Sequence, residues 1–386
     1  MMTLDGNKEW PIERFMFQSL QISENVLLHV PQAHFVFADR EALLQKFPLG
    51  DGQTIHIVIK VSGSSTPAYD IKMRVFKLSK VSSGNIDYYN LYLIYDAPRF
   101  LYENFVGCLG SQTSTAALGE IATSCGLTLA ASPGTDASDS QTWIPRGEKY
   151  CSFARHITAA AYSSTTSCMQ IAVDISGKLI YRNLSQAWYG ENRQQPFTFS
   201  SIPSGSTIKL MAYKEFTKSG LMNAFGGYKM TTVEQNPTKG KSTSQSQHAK
   251  VSTVTKTDSV AINKNINEGI AGSRVDFSPI NCGNNHDNYD LAIHQNSRLL
   301  GMYSVGMYTV TDEVNPGITL LQTVKLNTPE IANGKRGYNK TIAGEWEVSG
   351  KTLFVNRAGQ FFEKYELLRQ GTNNMADNTT QSGTAA

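Results

Sequence analysis

The chain has 386 residues, 40% apolar and 17% charged, with a formal net charge of +3. That length exceeds what one hydrophobic core usually serves, so two or three domains are expected, and so weak a charge does not imply a nucleic-acid partner held by a basic field. The five cysteines, at 108, 125, 151, 168 and 282, are odd in number and form no Cys-x-x-Cys pair. They suggest neither a disulfide framework nor a thiolate metal site, and fit a reducing cytoplasm. No window approaches the roughly 20 apolar residues of a membrane span, and residues 1–10 lack an apolar run. Neither membrane insertion nor secretion by a cleaved signal is expected.

From 15 to 96 the pattern is that of strands. Ile55, Ile57, Ile59 and Val61 alternate with Thr54, His56, Val58 and Lys60, the period of a strand with one buried face. Residues 71–75 and 88–95 repeat it, with turn formers at 62–67 and 82–84 between them, which favours an antiparallel barrel or sandwich. One short helix interrupts: Asp39 is placed to cap 40–47, Leu43 and Leu44 face inward, and Pro48 stops it.

Residues 110–183 change character. Leu118, Ile121, Ala122 and Cys125 recur at helical spacing, with N-cap candidates at 111–114 and Gly126 placed to end the helix. Phe153, Ile157, Ala160 and Ala161 predict a second helix after the loop carrying Gln141-Thr142-Trp143-Ile144-Pro145. Runs at 169–174 and 179–182 around Ser176-Gly177-Lys178 predict a β-hairpin. The result is a small α/β module.

Strand character resumes at 196–199, 207–213 and 223–233. From 234 to 262 Ser, Thr, Lys, Gln and Asn dominate, and too little can be buried there to offset ordering entropy. That stretch reads as a long excursion between two strands, either a solvated loop or, through Lys239, Lys241, Lys250 and Lys256, a docking segment for an acidic neighbour. A helix is expected over 288–300 with Tyr289, Ala292 and Ile293 inward, then strands at 303–311, 320–326, 345–348 and 360–368. The polar tail from 372 to 386 holds nothing that would fold alone.

No site for chemistry assembles. His286, Asp287, Asp290 and His294 are close in sequence, but they lack the His-x-x-x-His spacing and an intervening Glu of a zinc helix. His156 suits a surface or hydrogen-bonded role better than that of a general base. There is no Gly-x-Ser-x-Gly elbow. Gly240-Lys241-Ser242 ends like a phosphate-binding loop, yet Gln235 stands where its first glycine belongs. Trp143, Trp188 and Trp346 suit packing better than sugar stacking. No catalytic residue, metal or cofactor is therefore expected.

The ordered set of elements carries more than any one motif. The two helices around the Trp-Ile-Pro loop and the hairpin with Gly177-Lys178-Leu179 and Tyr181-Arg182 resemble the middle module of baseplate hub proteins of contractile-tailed phages, a group that includes the hub part of type VI secretion spikes. Asn296-Ser297-Arg298-Leu299-Leu300-Gly301, Pro316-Gly317, Gly344-Glu345-Trp346-Glu347-Val348 and Tyr365-Glu366-Leu367-Leu368-Arg369 resemble the second barrel of that family. The resemblance implies a mainly β chain with two tail-tube-like antiparallel β-barrels flanking an α/β module. The divisions would be 1–104 (first barrel), 105–190 (module), 191–233 with 299–371 (second barrel), 234–298 (flexible excursion plus helix) and 372–386 (disordered tail). It further implies a non-enzymatic virion protein, made in the host cytoplasm. Three copies would form a ring that adapts a sixfold tail tube to a threefold central spike, with a channel for DNA in transit or the tape-measure protein. Expected partners are further copies of the chain, the tail tube protein, the spike and other baseplate proteins. The alternative is a host-surface, glycan-binding β-sandwich protein.

Overall fold

The computed structural model describes residues 2–4, 8–9, 15–39, 42–46, 48–60, 65–132, 134–135, 138–165, 167–189, 196–202, 204–217, 229–236, 241–248, 273–279, 285–289, 291–293, 295–296, 305–332, 335–338 and 342–369. Most of its strands join one sheet of fourteen, and this sheet contains the same arrangement twice.

In the N-terminal unit five strands, Phe17–Asn25, Gln32–Asp39, Thr54–Ile59, Tyr69–Ser83 and Ile86–Tyr95, lie in the spatial order first, second, fifth, fourth, third, every pair antiparallel. In the C-terminal unit Ala212–Thr217, Val305–Thr311, Thr323–Asn327, Gly344–Asn356 and Phe361–Arg369 lie in the same order, again antiparallel throughout. The correspondence extends to the irregularities. The fourth strand of each unit carries a one-residue bulge against the fifth, at Phe76 between Val75 and Lys77 and at Ser349 between Val348 and Gly350. Just before the bulge each strand exchanges the same two hydrogen bonds with the start of the third: Gly52 N and Leu321 N donate to Val75 O and Val348 O at 2.8 Å, and Val75 N and Val348 N donate to Gln53 O and Gln322 O. Gly52 and Leu321, which occupy equivalent places, both have positive φ (81° and 60°).

The two units are joined edge to edge. Beyond Ser349, residues 350–356 leave their own third strand and pair with Phe17–Asn25, from Gly350 opposite Asn25 to Asn356 opposite Ser19. Added strands extend the third strand of each unit, antiparallel at Met2–Leu4 and parallel at Phe197–Ser200. The expected β-rich architecture is thus present. The described strands of the two units form one continuous sheet through this seam, and their pairings do not close either unit into a barrel.

The middle module forms as its periodicity predicts. Thr113 caps the helix Ser114–Ser124 through Ala116 N, Gly126 follows it at φ 73°, and Leu118, Ile121, Ala122 and Cys125 are buried. Tyr150–Ala160 buries Phe153, Ile157 and Ala160. Met169–Val173 and Lys178–Asn183 make the hairpin. Thr128–Ala131, not expected as a strand, adds parallel to the hairpin. The short helix after Asp39 covers Leu43–Lys46, later than predicted because Ala42 enters at φ 53°, and the Asp39 carboxylate caps it through Leu44 N. Ala292 is buried, and Tyr289 and Ile293 pack on the module core, as expected of that helix; 297–300 lies outside the described residues.

The reading of 234–262 as a flexible excursion needs correction at 234–236 and 241–248, which are strands. Lys229–Asn236 pairs with Lys241–His248 and with Ser273–Pro279 in a separate three-stranded sheet. Backbone pairing satisfies its own polar groups, so a Thr-, Ser- and Gln-rich segment can be a strand without an apolar face. The tail at 372–386 lies outside the described residues.

Candidate functional site

The seam between the units meets the hairpin turn of the middle module, and there the chain buries its charge. Lys351 and Glu363 are both almost wholly inaccessible and lie 3.7 Å apart. Lys351 Nζ donates to Tyr69 Oη at 2.9 Å, Asn315 O at 2.8 Å and Ile318 O at 3.3 Å, which uses all three of its protons. The Glu363 carboxylate accepts from Tyr69 Oη and Asn315 N on one oxygen and from Tyr365 Oη on the other. Opposite Lys351 across the seam stands Glu24, also buried, whose Oε2 accepts from Ile175 N in the hairpin turn at 2.7 Å.

Burial dominates the electrostatics. It pushes the Glu24 carboxyl up to about 7, against the pull of Lys351. It lowers the Lys351 ammonium, with Glu363 and Glu24 opposing that shift, and raises the Tyr69 and Tyr365 phenols. A cleft of about 110 Å³ opens beside these groups, lined by Glu24, Tyr69, Asp174, Ser176, Thr319 and Lys351. That is space for several waters and short of the roughly 300 Å³ at which ligand pockets begin. With every Lys351 proton and both Glu363 oxygens engaged, the arrangement fastens three segments rather than presenting an acid or base to a substrate.

The turn itself is built for this contact. Asp174 Oδ1 accepts from Ser176 N and Lys178 N at 2.9 Å, and Gly177 sits at φ 78°. A Cβ on Gly177 would stand 2.0 Å from the Tyr95 hydroxyl, so only glycine lets the hairpin approach the N-terminal unit. Two arginines complete the fastening. Arg155 donates to the carbonyls of Leu27 and Leu28 at 3.0 and 3.1 Å, and Arg182 to that of Leu321 at 2.9 Å. Asn296 joins the later helix to the module by accepting from Met169 N and donating to Thr158 O and Ala161 O.

None of these residues stands out by motif, yet a signal exists in the sequence. Lys351 continues the alternation of Leu353 and Val355, Glu363 that of Tyr365 and Leu367, and Glu24 that of Ile22 and Leu20. A charge that keeps step with a buried apolar row is itself buried.

The residues singled out from sequence fall elsewhere. Lys239, Lys250 and Lys256 lie outside the described residues, and Lys241 opens the strand Lys241–His248, opposite Asn236. Lys241, the one of the four that is described, is not at the seam. His286 Nε2 bonds to Ala160 O at 2.8 Å while Nδ1 accepts from Asn288 N, so both ring nitrogens are engaged; residues 290 and 294 lie outside the described residues. His156 pairs with Glu148 at 2.9 Å. Trp143 and Trp346 are buried, each donating to a backbone carbonyl, as packing residues do. The Trp188 side chain is not among those described. Among the described residues no helix is long and apolar enough to cross a membrane, which says nothing of strands.

Across nearly its whole length this is the fold of phage tail proteins. The tail protein from Neisseria meningitidis MC58 shares it at a TM-score of 0.56 and 11% identity, over 95% of this chain and 96% of that one. The 43 kDa tail protein of prophage MuSo2 from Shewanella oneidensis does so at 0.55 and 10%, over 96% and 97%. The E. coli c3393 protein is described as a type VI secretion component similar to the T4 tail proteins gp27 and gp5; it matches at 0.50 and 7%, over 95% and 76%. No family model and no curated protein matches the sequence.

Proposed function

We propose that the chain is a structural hub of a phage-type tail, in the virion baseplate, rather than an enzyme or a glycan-binding protein. Three copies form a ring in which each contributes two equivalent units. Six units in quasi-sixfold order then face a sixfold tail tube, while the ring as a whole keeps the threefold symmetry of a central spike. The repeated strand order, with its matching bulges, in a fold shared with tail proteins is the observation that carries this reading. The middle module and the buried charges at the seam hold the two units at a fixed angle, as a ring requires.

In this reading 1–104 and 191–233 with 299–371 are the two ring units, 105–190 is the module between them, and the channel passes DNA or the tape-measure protein in transit. The tail tube protein, the spike and other baseplate proteins are the neighbours, with Lys239, Lys241, Lys250 and Lys256 offered to an acidic one. A lumen free of dense positive charge goes with this role, since cationic walls would hold DNA through its phosphates. Light scattering tests the reading. It predicts three times the 42.4 kDa chain mass, alone or once a spike protein is added. A monomer under both conditions contradicts it.

A further inference from the structure

Among the described residues the in-chain seam has a twin that is left open. Within one chain, 350–356 beyond the Ser349 bulge is covered by the first strand of the N-terminal unit. In that unit the equivalent stretch beyond Phe76, residues 77–83, is equally long, and among the described residues nothing pairs with its outer edge. The first strand of the C-terminal unit, Ala212–Thr217, pairs with Val305–Thr311 on one side and with no described strand on the other. Both open edges expose apolar side chains: Phe76 and Val81 are 58% and 56% accessible, Met211 and Tyr213 47% and 45%. Long exposed edges of this kind are templates for strand addition.

Resting on the ring reading above, we infer that these two edges are one interface: Ala212–Thr217 of one copy adds antiparallel to 77–83 of the next, in the register that the in-chain seam dictates. The shared bulge fixes that register. Leu353 corresponds to Lys80 and Phe354 to Val81 through the fourth strands. Ile22 corresponds to Glu215 and Gln21 to Lys214 through their pairings with the second strands. Since Leu353 faces Ile22 and Phe354 faces Gln21 inside the chain, Lys80 faces Glu215 and Val81 faces Lys214 between chains.

The register was set by backbone alone, yet it brings opposite charges together at Lys80 and Glu215. Lys80 now pairs with Asp87 at 2.6 Å and is half exposed, so its ammonium is free to be shared. A one-residue slip would instead set Lys80 against Lys214 or Phe216 and reverse the faces of every side chain. Each copy carries one edge of each kind, so the contact is head-to-tail and closes only as a ring. A second copy is the occupant because its counterpart is already seated in the in-chain seam.

Two experiments on the full-length chain test this. In a Cys108→Ser background, Val81→Cys with Lys214→Cys is expected to give disulfide-linked dimers and trimers under mild oxidation, whereas either single cysteine, or Val81→Cys with Glu215→Cys, gives none. Lys80→Glu and Glu215→Lys are each expected to raise the concentration for half-assembly roughly tenfold, and the two together to restore it. A trimer that forms without this cross-link and ignores both charge reversals overturns the seam while leaving the hub reading intact. A chain monomeric in every variant, with or without a spike protein, overturns both. Cross-linking in the slipped register overturns the assignment of the pairs.

Discussion

The two units share a backbone plan, while most of the side chains set on it differ. Before the bulge Thr54 and Val75 match Thr323 and Val348, whereas beyond it Leu78 and Tyr89 stand where the C-terminal unit has Lys351 and Glu363. Between first and second strands the former needs only residues 26–31, whereas the latter inserts 218–304. What the repeat preserves is geometry: a bulge after a valine, a positive φ two residues before the third strand, one strand order. Bulges bend and twist a sheet, so keeping them keeps the curvature of each unit. Side chains are then free to suit each neighbour. Where the neighbour is the other unit of the same chain, the row carries the Lys351 and Glu363 pair.

The largest way to break this comparison is to remove one charge. Lys351→Met leaves Glu363 and Glu24 buried without their cation and is expected to cost about 3–5 kcal/mol in urea denaturation. Leu78→Met, at the equivalent place, is expected to cost under about 1.5 kcal/mol. Equal and small effects at both places would mean that the charge cluster fastens nothing.

Titration separates the units next. The Glu24 carboxyl sits at about 7 in the folded chain against 4.5 for the ordinary group, because it is buried. The folded state therefore holds its proton over a wider range than the unfolded state does. That contribution is complete below about pH 4.5, is lost as pH rises to about 7, and is constant above. Relative to Glu24→Gln, the wild type should lose on the order of 3 kcal/mol between pH 4 and pH 8. Thr217, at the equivalent position, carries no titrating group, so Thr217→Val should leave the pH profile unchanged. A flat difference between wild type and Glu24→Gln would refute the buried, protonatable state.

A finer comparison uses the shared positive φ. Leu321 is fully buried and strained, whereas Gly52 is exposed, with nothing within 4 Å of its missing Cβ. Leu321→Gly should cost about 2–3 kcal/mol, the loss of the buried side chain outweighing relief of the backbone. Gly52→Ala should cost only about 1 kcal/mol, from conformation alone. Thermal melts of the two variants would check the order.

Much of this plan is legible in the sequence, because strands and helices advertise themselves through one-sided burial. The alternation at Ile55, Ile57 and Ile59 and the spacing of Leu118, Ile121, Ala122 and Cys125 give their elements directly. For Gly344–Asn356 the pattern predicts a strand only as far as 348, since the bulge at Ser349 shifts the alternation by one and hides the strand beyond it. The seam charges were hidden for a related reason: residues 24, 351 and 363 are far apart in sequence and meet only when the units join. The repeat did leave a trace, in Gly52-Gln53-Thr54-Ile55-His56-Ile57 beside Leu321-Gln322-Thr323-Val324-Lys325-Leu326. It is six residues long and visible as a repeat only once the register is known.

Electron microscopy of the purified assembly, averaged without imposed symmetry, addresses the duplicated unit most directly. Three chains forming a ring of six similar lobes, with the two lobes of each chain superimposing along their five strands, is the predicted image. A ring of three lobes, or six lobes drawn from six chains, would contradict it.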